Sequence, residues 1–222
     1  MTLMLSGIRR SLIVIMMMAA VAVPAAGEET PTASPQTVLE WLQQEHRFLR
    51  RYLAVVQQAA HDYSYGYQTP KLLMPIAIDL FTGYVAVIHE AEEAILYPAL
   101  RQHMNDEQQR GLWLVENDQR EESDTVKAWQ REMAQYEAGR KKITEVADTI
   151  DYLARMVNRH LVLQEERVVP YLELLSSKEQ AAVLKGIQRL ERERVGSTGR
   201  LRYEQLLTSI EQDIKRVAGR IW

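Results

Sequence analysis

The 222-residue chain contains no cysteine, so neither disulfides nor thiolate ligands are open to it. Any metal it holds must be taken by nitrogen and oxygen. Its apolar run Leu12 to Val23 spans 12 residues, against the roughly 20 that a bilayer crossing needs. No phosphate-binding loop, lone nucleophile or general base stands out to name an organic substrate, and no repeat of solenoid period is present. Basic and acidic side chains number 27 and 30, which leaves no concentrated positive surface for nucleic acid. With 10 glycines, 7 prolines and 46% apolar residues, the length suits one domain plus an extension.

Residues 1–27 are expected to form an export signal. Arg9 and Arg10 precede the apolar run, and Ala25, Ala26 and Gly27 offer small-residue cleavage sites. Membrane attachment is expected only if that segment stays uncleaved, and in a Gram-negative bacterium the product would be periplasmic. Ile8 to Ile13 also has a loose twin-arginine pattern. Met16, Met17 and Met18 belong to the signal and are not a thioether copper site. Beyond residue 27 the chain carries 25 basic and 30 acidic side chains, a formal charge of −5. Residues 28–35, polar and proline-containing, read as a linker.

Helical periodicity dominates the rest of the chain. A first helix is expected from about Gln36 to His61, with Leu39, Leu42, His46, Leu49, Leu53, Val56 and Ala60 on one stripe. A tyrosine-rich turn, Tyr63 to Pro70, leads to a second helix from about Lys71 to Met104 that turns Ile78, Phe81, Val85, His89, Leu96 and Leu100 inward. Pro98 deletes the partner of the Ala94 carbonyl and should bend it. The third, Asp106 to about Ala138, repeats at Leu112, Val115, Gln119, Glu122, Val126, Trp129, Met133 and Tyr136, and Gly139 ends it. The fourth, about Lys141 to Leu175, carries Ile143, Val146, Ile150, Leu153, Val157 and His160. The fold class is therefore all-α: an antiparallel four-helix bundle over residues 36–175. A helical extension over 176–222 is expected to begin with Ser177 as a cap, to break at Gly196 to Gly199, and to serve as a lid or partner surface. The Arg189 to Arg194 run reads as a salt-bridged, solvated face.

Three of the five histidines, His46, His89 and His160, fall on separate apolar stripes. Imidazole and carboxylate converging from neighbouring helices can satisfy a cation that none could hold alone. His89 and Glu93, at i and i+4, differ by about 40° around a helix and can ligate together. His160 and Glu165, at i and i+5, differ by about 140° unless a π-bulge rewinds the turn. Glu165 is favoured over Gln164 because a carboxylate neutralises a cation and an amide does not. Gln164 could then support the site from behind. Pro98 and Pro170 each lie five residues beyond these carboxylates. His61 and His103 fall near helix ends and need no metal.

Leu42-Gln43-Gln44-Glu45-His46-Arg47, His89-Glu90-Ala91-Glu92-Glu93-Ala94-Ile95-Leu96-Tyr97-Pro98 and the stretch His160 to Pro170 resemble the hemerythrin-like HHE cation-binding domains. The resemblance covers about Val38 to Leu175. It implies a four-helix bundle around non-haem iron, usually a dinuclear centre. By that likeness His46, His89 and His160 would be terminal ligands, and Glu93 and Glu165 would bridge two irons. The chain departs from the family in the third helix, where one or two histidines are usual and none stands between His103 and His160. Local similarity puts Asn117 and Glu121 at those positions, while periodicity favours Asp118 and Glu122. Replacing imidazoles by oxygen donors hardens the site, which suits ferric iron or manganese and leaves a mononuclear centre open.

The metal set expected from sequence is thus His46, His89, Glu93, His160, Glu165 and Glu121. The function expected is an exported iron protein that binds or senses dioxygen, nitric oxide or peroxide, or buffers iron. A di-iron oxidase or peroxidase and a metal-free helical adaptor are the rival classes.

Overall fold

The computed structural model describes residues 35–64 and 76–218. The expected signal, the linker up to residue 34 and the greater part of the tyrosine-rich turn lie outside the described residues. Within them the chain is helical, without a strand. None of the described helices is long and apolar enough to cross a membrane.

Helix α1 is Val38–Ser64. Helix α2 covers 76–101 and changes winding twice, with π turns at Phe81–Val85 and Glu92–Leu96. Helix α3 is Asp106–Glu137 and α4 is Ile143–Arg167. A 3₁₀ segment, Val169–Leu174, leads to α5, Ser177–Val195, and α6, Gly199–Ala218.

The stripes read from sequence are buried with few exceptions. Leu42, His46, Leu49, Leu53 and Val56 line α1, and Val146, Ile150, Leu153, Val157, His160 and Gln164 continue unbroken along α4. Leu39 is an exception and stays exposed. Helix α1 also buries a second face, Val38, Trp41, Glu45, Phe48 and Tyr52, which the expected stripe does not include. Helices α5 and α6 pack against the Trp41 and Glu45 part of that face, while Phe48 meets Tyr84 and Tyr52 meets Phe81 and Ala77 of α2. Trp41 Nε1 donates to Glu191 of α5 at 2.8 Å, and Arg51 grips Glu204 and Glu211 of α6 at 2.8 and 2.9 Å. The extension is thereby fastened to α1. Tyr203 of α6 stacks on Tyr84 at 5.1 Å, and its hydroxyl occupies the space where a Cβ at Gly83 would lie. Arg194 reaches Glu90 of α2, while Arg189 pairs with Glu193 within α5.

Prolines account for two changes from the expected helices. Pro98 cannot donate to a carbonyl four residues back, and the widened turn Glu92–Leu96 lies directly before it. Pro170 cannot extend α4, which therefore stops at Arg167 and continues as a tighter turn rather than running on to Leu175. The cap of α5 is Ser176 rather than Ser177: its hydroxyl accepts from the Glu179 backbone and the Glu179 carboxylate returns to the Ser176 N–H at 2.8 Å. Asn105 and Gln108 form the same reciprocal box at the start of α3, at 2.9 and 3.0 Å. Asn105→Ala is expected to cost about 1 kcal/mol, measured by urea denaturation, with the m-value unchanged.

Candidate metal centre

Helices α1, α2 and α4 each carry an imidazole to the interior, at a position where a hydrophobic residue would complete the stripe. The His89 and His160 rings lie 5.7 Å apart, centre to centre. Both face Glu122 of α3. His89 Nε2 is 3.5 Å from one carboxylate oxygen and His160 Nδ1 is 3.9 Å from the other. Glu122 is fully buried, at 0% exposure.

These approaches are too long for hydrogen bonds. His89 Nε2, His160 Nδ1 and both Glu122 oxygens are buried without a hydrogen-bond partner. Leaving a polar group in that state costs about 1–3 kcal/mol, so four together are not explained by packing. Among the described residues, no three His, Asp or Glu side chains are drawn into a closed ligand set; the approaches to Glu122 are pairwise. The donor chemistry nevertheless fits a cation, which takes imidazole lone pairs and carboxylate oxygens together and leaves none of them orphaned. A backbone hydrogen bond to Val115 orients the His160 ring, in the way metal-binding imidazoles are commonly held.

Burial keeps this group of side chains uncharged. It pushes His89 down to about 4. His160 is lowered well below the usual imidazole range by burial and then by the neighbouring His89 and His46. Burial, with Asp118 and Glu92 adding repulsion, raises Glu122 well above the usual carboxylate range.

His46 has a different setting. Its Nε2 lies 2.7 Å from Gln164 Oε1, and its Nδ1 lies 3.4 Å from Glu165 Oε1. Gln164 Nε2 donates to the Tyr97 hydroxyl at 2.8 Å, which in turn donates to Glu92 Oε2 at 3.2 Å. Gln119 Nε2 donates to Tyr97 at 3.2 Å and also to Glu92. A hydrogen-bonded chain with members on α1, α2, α3 and α4 therefore adjoins the unpartnered trio.

Of the expected carboxylates, Glu93 is exposed, Glu165 pairs with Arg50 and Glu121 with Arg159. Helix α4 stays α-helical through Arg167, so no π-bulge brings Glu165 under His160. Gln164 is buried instead, and Glu165 lies 47% exposed beside Arg50 at 2.6 Å. The π turn forms in α2, where it accompanies an inward Glu92 and an exposed Glu93. Glu121 is 43% exposed and engaged by Tyr152 at 2.9 Å and Arg159 at 3.0 Å. Asn117 is exposed, and Asp118 is held by both arms of Arg159 at 2.9 and 2.8 Å. Of the third-helix alternatives, Glu122 faces the imidazoles. His103 pairs with Glu179 at 3.0 Å, away from the centre.

Sequence reasoning does not single out Glu92 or Tyr97, nor give Gln119 more than a core position. A cleft of about 740 Å³ between α2 and α3 reaches His89, with Phe81, Glu93, Gln119 and Val126 among its walls.

The family model describing the hemerythrin HHE cation-binding domain matches residues 37–172. No curated protein and no solved structure matches the chain. The matched span takes in every residue of the unpartnered trio and of the chain beside it, and the protein belongs to the hemerythrin HHE cation-binding domain family.

Proposed function

We propose that this protein binds non-haem iron inside an antiparallel four-helix bundle made by α1 to α4, and that it takes a small ligand, dioxygen, nitric oxide or peroxide, at that iron. The observation that carries the reading is the set of buried, unpartnered donors on His89, His160 and Glu122, brought together from three helices. Iron, when bound, supplies coordination positions at which such a ligand exchanges. Glu122 offsets the charge of the cation, and Val115 holds the His160 ring in place. Phe81 and Val126 line the cleft that reaches His89, together with the charged Glu90, Glu93, Arg120 and Lys127, so a small ligand enters it through a mixed lining. The pattern of residues 1–27 adds export to the reading, with a periplasmic location in a Gram-negative bacterium.

Anaerobic loading with ferrous iron followed by nitric oxide titration tests the proposal. Saturable binding without turnover is expected, and His160→Gln should abolish it. Steady consumption of peroxide would favour the peroxidase alternative, and a chain that retains no metal would overturn the reading.

Metal uptake is also expected to release protons. Burial raises Glu122 above the usual carboxylate range, so a cation and a proton compete for it. Affinity should therefore fall as pH is lowered. Calorimetry in two buffers of different ionisation enthalpy measures the protons released per metal.

A further inference from the structure

We infer that the centre holds a single cation on His89, His160 and Glu122, because the adjoining space that could take a second one is filled by the chain His46, Gln164, Tyr97, Glu92 and Gln119. This rests on the reading of the centre as a metal site.

The two halves differ in what their lone pairs do. In the first half, His89 Nε2, His160 Nδ1 and both Glu122 oxygens have no partner. Two imidazoles and one carboxylate are also the donor composition of ferrous sites that keep open positions. In the second half, His46 Nε2 faces the Gln164 amide oxygen at 2.7 Å. An amide oxygen accepts and never donates, so this nitrogen carries the proton and has no lone pair for a metal. Turning the amide by 180° reverses the roles but leaves the nitrogen engaged. The other His46 nitrogen faces Glu165, which Arg50 holds at 2.6 Å.

Tyr97 and the two glutamines contribute no charge to this half. Glu92 does, but it already accepts from both Tyr97 and Gln119. A second dication needs further carboxylates, and of those in the sequence pattern Glu93 is exposed at the cleft mouth and the others are engaged elsewhere. Asp118 and Glu121 are held by Arg159, and Glu165 by Arg50. One inward carboxylate without a partner, Glu122, balances one cation better than two. The second half then acts as a rigid wall that keeps His46 and Tyr97 near the bound metal without ligating it.

The test is anaerobic calorimetric titration of the full chain with ferrous iron, with metals per chain counted after desalting. One equivalent is expected for the wild type and for His46→Asn. The equivalent should be lost, with affinity down by more than about 100-fold, in His89→Asn and His160→Gln. Circular dichroism confirms that each variant is folded, and Glu122→Gln supplies a further ligand variant should either histidine change unfold the chain. Two equivalents in the wild type, or loss of the metal in His46→Asn, would overturn the single-cation assignment while leaving the protein a metal binder. No binding by the wild type would instead overturn the functional reading beneath it.

Discussion

Glu122→Leu is expected to stabilise the metal-free protein by about 1–3 kcal/mol and to abolish metal binding in the same step. Leucine is close to glutamate in size and has nothing to hydrogen-bond. It replaces a carboxyl whose two oxygens are buried at 0% exposure and find no partner in the protein. An ordinary buried carboxylate, hydrogen-bonded on both oxygens, would show the reverse, because its partners would be stranded by the change. The His89 and His160 nitrogens remain unpartnered in the variant, so the gain is partial rather than complete. Loading the wild type with metal should then raise its stability past that of the variant, since a ligand that binds only the folded state stabilises it by mass action. Urea denaturation with and without metal measures both effects. Loss of stability in metal-free Glu122→Leu would mean that Glu122 is a structural acid.

Arg200→Ala is expected to destabilise the protein by about 3 kcal/mol and to release α6 from α1. Arg200 lies 2.6 Å from Glu45, which is fully buried, with Tyr84 donating to the same carboxylate at 3.3 Å and the second oxygen unpartnered. Removing the guanidinium strands that carboxylate. Burial, opposed by Arg200, already pushes Glu45 up to about 8 from 4.5. A folded-state value above the unfolded one means that the native chain holds the proton more tightly. The associated stability is present below 4.5 and is lost as pH rises toward 8. Without Arg200 the upper limit moves higher, so the variant should lose more stability between pH 6 and pH 9 than the wild type. Denaturation at those two pH values measures the difference, and hydrogen exchange should show α6 opening at low free energy. Equal losses at both pH values would show that Arg200 acts through packing of its stem alone.

Much of the helical layout is legible because burial imposes its period on the sequence. Leu112, Val115, Gln119, Glu122, Val126, Trp129 and Met133 read as one inward stripe of α3 and are buried as such. The polar members of that stripe, Glu122 and Gln119, lie at the candidate centre and in the hydrogen-bonded chain beside it. Periodicity does not disclose the local rewinding of α2. A widened turn adds no residue to the sequence and breaks no rule of composition, so Glu92 and Glu93 cannot be told apart by counting from His89. The same count predicts a bulge in α4, where the chain is regular and the i+4 residue, Gln164, faces inward. Choosing Glu165 for its charge overlooks Arg50, whose position across α1 no spacing reveals. Nor can α1 disclose its second buried face. Trp41 and Glu45 read as a departure from the stripe until Glu191 of α5 and Arg200 of α6 are seen beside them.

Glu45 and Glu122 are both buried acids, yet their settings differ in a way that bears on function. Glu45 has a guanidinium from the extension beside it, and Glu122 has two neutral imidazoles. The first arrangement supplies its own counter-charge, while in the proposed function the second ionises against the counter-charge of a bound cation.

Anomalous diffraction from crystals grown with ferrous or manganous ion measures that counter-charge most directly. One anomalous peak per chain is expected, bounded by His89 Nε2, His160 Nδ1 and the Glu122 carboxylate, with Gln164 still hydrogen-bonded to His46. Two peaks per chain, or one bounded by His46 in place of Glu122, would contradict a single cation held by that trio.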